Sequence, residues 1–92
     1  MIVRWTRIAL RDLEYLHAYI AAENPEAADV MVDRIVSAAK ALERDPEMGR
    51  KGRIEETREL IISPFVVSYQ IRAGVVELLA IIHGARRWPD AF

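Results

Sequence analysis

The tripeptide Asn24-Pro25-Glu26 sits between two stretches in which apolar residues recur every three or four positions, and it constrains the fold more than any other short segment. Asparagine is a strong N-cap, proline is tolerated at the first helical position, and an acid in the first turn suits the positive end of the helix dipole. A helix therefore starts here, and the one before it has ended. Upstream, Ala9, Leu13, Leu16 and Ile20 step by four, three and four, with Leu10 and His17 at the margin, which predicts a helix over 7–23. Downstream, the stripe Ala28, Val32, Ile35, Ala39 and Leu42 runs until Asp45-Pro46, where proline disfavours helix at the preceding residue. So short a connection predicts an antiparallel helix hairpin, and Ala27, Ala28, Ala38, Ala39 and Ala41 let the two helices approach closely.

Strand signals flank the hairpin. Residues 2–5 read as a short strand, with Thr6 at the N-cap of the first helix. Residues 46–56 carry two glycines, no apolar period and the basic Arg50, Lys51 and Arg53, which predicts an exposed loop. Three strands follow, over 57–63, 65–72 and 75–83, the last two joined by the two-residue turn Ala73-Gly74, so an antiparallel meander is expected. In the middle strand Phe65, Val67, Tyr69 and Ile71 share one face, the core side, while Val66, Ser68, Gln70 and Arg72 form a more polar one. The last strand is apolar almost throughout except for Glu77, which suits a central position. The order β-α-α-β-β-β, with helices on one face of a mainly antiparallel sheet, is an α+β fold.

At 92 residues the chain is expected to form a single domain, and 52% apolar with 29% charged residues is a globular rather than a disordered composition. The absence of cysteine excludes disulfides, thiolate metal sites and a cysteine nucleophile, and two histidines leave little for a metal. No cofactor is expected. Neither a membrane-spanning run nor the apolar core of a signal peptide is present, so a cytoplasmic location with no membrane partner is expected. The net charge of −1 is uneven: residues 1–48 carry six Lys/Arg against nine Asp/Glu, and residues 49–92 seven against five. The C-terminal half is the one suited to an anionic partner.

No phosphate loop, metal cluster or Ser/His/Asp triad appears. The meander suggests instead that Arg58, Arg72, His83, Arg86 and Arg87 converge, with Arg50, Lys51 and Arg53 nearby, into a basic concavity suited to phosphate. Duller readings stand beside this one. His83 suits a hydrogen-bonded strand end and His17 a core margin. The Arg50–Arg53 run suits a solvated loop. Trp5 and Trp88 suit packing, and Glu55, Glu56 and Glu59 suit ion pairs with nearby arginines. Tyr15 and Tyr19, one helical turn apart, suit covering the hairpin or a partner's apolar side chain.

The whole chain resembles the RelE/ParE superfamily of small toxins from bacterial type II toxin-antitoxin systems. The resemblance rests on Asn24-Pro25-Glu26-Ala27-Ala28, Pro46-Glu47-Met48-Gly49-Arg50, Thr57-Arg58-Glu59-Leu60, Pro64-Phe65-Val66-Val67-Ser68-Tyr69 and His83-Gly84-Ala85-Arg86-Arg87-Trp88-Pro89, in this order and spacing. It implies the β-α-α-β-β-β fold and a cognate antitoxin, in a toxin-antitoxin hetero-oligomer, whose C-terminal segment is expected to fold across the helix hairpin, including the region of Leu10, Tyr15 and Tyr19, with a sheet edge as a second place for it to pair.

The superfamily implies two activities. Members similar to RelE cut mRNA in the ribosomal A site; members similar to ParE poison DNA gyrase. The nucleases typically place an arginine three residues before the middle-strand tyrosine, and here that position is Val66, which cannot hold the charge of a phosphorane-like transition state. The chain end, Trp88-Pro89-Asp90-Ala91-Phe92, also lacks the tyrosine or histidine that often serves the nucleases. The resemblance therefore favours a gyrase inhibitor whose target-binding residues are Arg86, Arg87 and Trp88, with Arg58, Arg72 and His83. The alternative is a ribosome-dependent endoribonuclease using His83, Arg86 and Arg58 on mRNA, and a third reading is a non-toxic member that keeps only antitoxin binding.

Overall fold

The computed structural model describes residues 1–92. Its elements are β1 (Ile2–Trp5), α1 (Arg7–Ala21), α2 (Pro25–Ala41), β2 (Arg50–Lys51), β3 (Arg58–Ile62), β4 (Phe65–Arg72) and β5 (Val75–His83). Both expected caps form: the Thr6 hydroxyl accepts from the Ala9 N–H, and the Asn24 side chain accepts from the Ala27 N–H with Pro25 opening the helix. α1 contains its whole apolar stripe but ends at Ala21, short of the expected 23, because the Glu23 and Asn24 amides both turn back onto the Ile20 carbonyl. α2 likewise ends at Ala41 and unwinds through a turn to Asp45, whose amide bonds the Ala41 carbonyl. His17 Nε2 meets Asp29 Oδ1 at 2.8 Å between the two helices, so His17 is an interhelical polar contact at the edge of the core.

The sheet order is β1-β5-β4-β3-β2. The expected meander is present, and β5 lies between β4 and β1, which pairs with it in parallel. The expected exposed loop is corrected. Within it, β2 pairs with Arg58 and Glu59 of β3, and Gly49 is buried. A two-residue strand is too short to carry a period. Gly49 is enclosed because a Cβ there would stand 2.6 Å from the Tyr69 hydroxyl and 2.9 Å from the Glu59 carbonyl.

One sheet face receives the helices. Leu60, Ile62, Val67, Tyr69, Val76, Leu78 and Ile81 pack with Ala9, Leu16, Ile35, Ala39 and Leu42, and Trp5 joins the edge of this cluster. Each fully buried leucine or isoleucine here contributes about 1.5–3 kcal/mol relative to exposure. The long apolar run of β5 is explained by an irregularity opposite Ser68/Tyr69: Ser68 faces Ala80 while Tyr69 faces Leu78, leaving Leu79 without a partner. The inward set is thus Val76, Leu78, Ile81 and His83, and strict alternation is lost by one residue.

The opposite face departs from expectation. Val66 and Ser68 of β4 are 5% and 0% exposed and Ala80 of β5 4%, so this part of the β4–β5 ladder is enclosed on both sides rather than solvated. Gly84 lies against Val66, its amide bonding the Pro64 carbonyl, and the chain beyond β5 turns back onto this side. No helix is long and apolar enough to cross a membrane.

Candidate functional site

The chemistry-bearing residues fall into three places. In an antiparallel meander the start of one strand lies beside the end of the next, so β3's start and β4's end share one end of the sheet and β5's end lies at the other. Arg58 faces Tyr69 and Arg72 faces Val75, whereas His83 faces Phe65 at the far end of the ladder. Arg72 and His83 are separated by the length of β4, roughly 20 Å at about 3.3 Å per residue. The expected single basic concavity is therefore corrected: Arg58 and Arg72 do not meet His83, Arg86 and Arg87.

At the β3-start end, Arg58 is committed within the chain. Its Nη1 donates to the Gly49 carbonyl at 2.8 Å and to the Glu47 carbonyl at 3.2 Å, and its Nη2 lies 3.6 Å from the Glu47 carboxylate. Beside it, Tyr69 is fully buried; its hydroxyl accepts from Gly49 N–H at 2.9 Å and donates to the Pro46 carbonyl at 2.8 Å. Burial pushes the Tyr69 phenol above its ordinary value, more than the Gly49 hydrogen bond and the Arg58 charge lower it. Arg72 is exposed and forms no ion pair; it flanks a shallow cavity of about 580 Å³ with Ile2, Arg4 and Glu77.

At the other end, a groove of about 520 Å³ runs between α1 and the end of β5, lined by Tyr15, Tyr19, Phe65, His83 and Arg86 among others. Tyr15 is 65% and Tyr19 82% exposed, and Leu10 is also exposed on α1. The His83 ring meets Phe65 edge-on at 5.6 Å, and its Nδ1 accepts the Ala85 N–H at 3.1 Å. That bond assigns the proton of the neutral ring to Nε2, leaving His83 a donor toward the groove. β1 pairs with β5 only as far as Leu78, so Leu79–His83 has no strand on that side. The Asp12 carboxylate takes up the Ile81 N–H there at 3.0 Å. Asp12, Phe65 and Ile81 were not legible as groove residues, because an acid beside a helical stripe and two strand apolars carry no motif.

The third place joins loop and tail. Glu59 is 2% exposed, and both its oxygens are held. Arg50 gives Nη2 at 3.0 Å to Oε1, and Arg53 gives its backbone N–H at 2.8 Å and Nε at 3.3 Å to Oε2. Burial alone would raise this carboxyl, but the Arg53 amide and the Arg50 and Arg53 side chains outweigh it and hold it below its ordinary value. The Arg53 guanidinium in turn stacks 3.7 Å above the Trp88 ring. Glu59 thus pairs with arginines as expected, whereas Glu55 and Glu56 do not, and the Arg50–Arg53 run is engaged rather than merely solvated. Trp5 and Trp88 both pack. Arg86 and Arg87 are exposed and form no ion pair. No cluster of three His, Asp or Glu side chains is placed to hold a metal ion.

Comparison with known proteins bears on this arrangement. A sequence model of the family described as ParE toxin of type II toxin-antitoxin system, parDE, matches residues 3–88. The chain is 43% identical over 90 residues to the putative toxin Y4kP of Sinorhizobium fredii, covering 96% of this chain and 93% of that protein. It is 36% identical over 84 residues to toxin RelE2 of Caulobacter vibrioides, covering 91% and 96%. Among solved structures it is similar to a chain of the chromosomal ParDE system of P. aeruginosa, with a TM-score of 0.80 at 27% identity over 90% of this chain and 95% of that one. A chain of the RelBE2 toxin-antitoxin complex of Mycobacterium tuberculosis matches with a TM-score of 0.65 at 26% identity, covering 89% and 95%. With the helix hairpin, the sheet order and the sequence match in agreement along nearly its whole length, the chain belongs to the ParE toxin family of type II toxin-antitoxin systems.

Proposed function

We propose that this toxin acts in the cytoplasm by binding DNA gyrase and stabilising its cleaved-DNA state, rather than by cutting mRNA. The observation that carries this reading is Val66. The position that similar nucleases fill with a phosphate-contacting arginine holds a valine only 5% exposed, in line with Ile61 and Ile82 across the sheet. The Arg50 and Arg53 guanidiniums are tied to Glu59, across the ladder from Ser68, and are not free to hold a scissile phosphate. His83 also suits the binding reading better than a base role, since its neutral ring carries a proton on Nε2. Arg86 and Arg87, exposed beside the groove, are the target contacts; Arg72 belongs to a separate surface.

The same reading assigns the groove between α1 and β5, with Tyr15 and Tyr19 in its lining, to a cognate antitoxin segment; Leu10, exposed on α1, lies outside that lining. Exposed aromatics around an apolar floor of Leu16, Phe65 and Ile81, with one arginine at the mouth, suit an apolar anchor flanked by an acid.

Pulse-labelling of DNA and protein synthesis in the minutes after induction without antitoxin tests the target. Early loss of DNA synthesis with translation intact is expected. Early loss of translation would favour the nuclease reading, which the names of relatives such as RelE2 keep in view. Unimpaired growth would favour the non-toxic reading. Within the gyrase reading, Arg86→Glu with Arg87→Glu should abolish growth arrest while the protein remains folded.

A further inference from the structure

We propose that Glu59 and Arg53 are positioning residues that hold the C-terminal tail, and hence Arg86 and Arg87, in a fixed presentation, with Trp88 as the hook. The proposal rests on the tail being the target-binding element. The tail has no secondary structure of its own beyond a turn, in which the Arg86 N–H bonds the His83 carbonyl at 2.9 Å. A segment of this kind, carrying two exposed guanidiniums, would otherwise lose much of its binding energy to ordering on contact.

Its restraint is built in layers. Glu59 sits directly across the β3–β4 ladder from the fully buried Ser68, so the carboxylate is fixed by the sheet. Its Oε2 holds the main-chain amide of Arg53 at 2.8 Å as well as the Nε at 3.3 Å, which fixes both ends of that arginine. The surrounding loop is closed on itself: Gly52 N–H bonds the Thr57 carbonyl at 2.8 Å and the Thr57 hydroxyl bonds the Ile54 carbonyl at 2.6 Å. The guanidinium carbon so placed lies 3.7 Å from the centroid of the Trp88 ring, whose indole nitrogen is out of contact with solvent. Arg86 and Arg87 are thereby pinned between Trp88 on one side and the His83 turn on the other, both side chains left exposed. A lysine at position 53 keeps the charge and loses the planar face and the Nε contact, so the two residues are not equivalent here.

Trypsin cleavage after Arg86 and Arg87, read by mass spectrometry as loss of residues 87–92 and 88–92, reports tail release directly. Arg53→Ala, Arg53→Lys and Trp88→Ala should each raise that cleavage rate by about tenfold, because cleavage tracks the undocked population. Trp88→Phe should preserve most of the protection, and melting temperatures should show that the core stays folded in every variant. Toxicity supplies the second readout. Arg53→Ala should weaken growth arrest although Arg86, Arg87 and Trp88 are intact. Unchanged cleavage in both Arg53→Ala and Trp88→Ala would overturn the latch. A freed tail with undiminished toxicity would overturn the positioning role while leaving the tail reading in place. Full toxicity of the Arg86→Glu, Arg87→Glu protein would instead remove the tail from target binding, and the positioning role with it, with the latch still measured by proteolysis.

Discussion

The Tyr69 hydroxyl and the Gly49 amide meet at 2.9 Å, and through this bond the middle strand of the sheet anchors the chain leaving α2. The hydroxyl's own proton goes to the Pro46 carbonyl at 2.8 Å, so one buried phenol satisfies two main-chain groups of the 46–49 segment. Removing it orphans both. Tyr69→Phe should lower unfolding free energy by about 1–3 kcal/mol, measured by urea denaturation, with the larger figure if no water replaces the hydroxyl. In the native protein the raised phenol adds a pH dependence: below pH 10, the ordinary tyrosine value, it remains protonated folded or unfolded and its contribution is intact. Above that value the unfolded chain loses the proton first, so stability should fall as pH rises toward the folded pKa, and Tyr69→Phe should flatten this slope.

Gly49 should tolerate no side chain. An alanine Cβ would meet Tyr69 Oη at 2.6 Å and Cε1 at 2.7 Å, and the Glu59 carbonyl at 2.9 Å. Two of these neighbours are fixed, one as a strand carbonyl and one as a buried ring, so Gly49→Ala should cost about 1–3 kcal/mol. Tyr69→Phe should relieve only the hydroxyl contact, and a double-mutant cycle should therefore show coupling short of full rescue.

Glu59 makes the protein acid-sensitive. Its folded pKa lies below 4.5, so its stabilising contribution is complete above that pH and is lost as pH falls through the folded value. Thermal melts of native protein and Glu59→Gln between pH 3 and 7 should differ most near neutrality and converge in acid. The substitution leaves Arg50 and Arg53 without their charged partner, but both arginines are about half exposed and can be solvated, so the cost at neutral pH should be about 1–2 kcal/mol.

Asp12 protects the open stretch of β5. Asp12→Ala should leave the Ile81 amide without its 3.0 Å acceptor. Its hydrogen exchange should accelerate while the Leu78 region, paired with β1, stays protected, and global stability should drop by about 1–2 kcal/mol.

Tyr15 and Tyr19 should matter for the antitoxin and little for the fold, since they are 65% and 82% exposed. Antitoxin C-terminal peptide should raise the melting temperature of native toxin. Tyr15→Ala with Tyr19→Ala should remove most of that rise while changing the free protein's melting temperature by no more than surface substitutions do. An equal rise in the variant would move the antitoxin off this groove.

Local signals were enough for the helices and the meander. Thr6 and Asn24 announce their caps, Pro25 and Pro46 punctuate the hairpin, and Ala73-Gly74 forms its turn with both residues at positive φ. β2 was not legible because two residues carry no period. Nor was the irregularity opposite Ser68/Tyr69, which moves the inward set of β5 by one place without leaving a mark on a run of apolar residues. The site was legible in its chemistry and not in its grouping. Arg58, Arg72 and His83 share residue types suited to phosphate, yet strand direction sends His83 to the far end from the other two.

The elements and their order follow from local signals, because caps, turns and apolar periods act between residues a few positions apart. The absence of arginine at Val66 is likewise written in the sequence, and no packing can restore it. The gathering of Arg50 and Arg53 by Glu59, the contact of Arg53 with Trp88 and the reach of Asp12 to Ile81 arise in the folded chain alone. Those relationships join residues far apart in sequence, and they depend on strand register and sheet order, which set distances that no local spacing encodes.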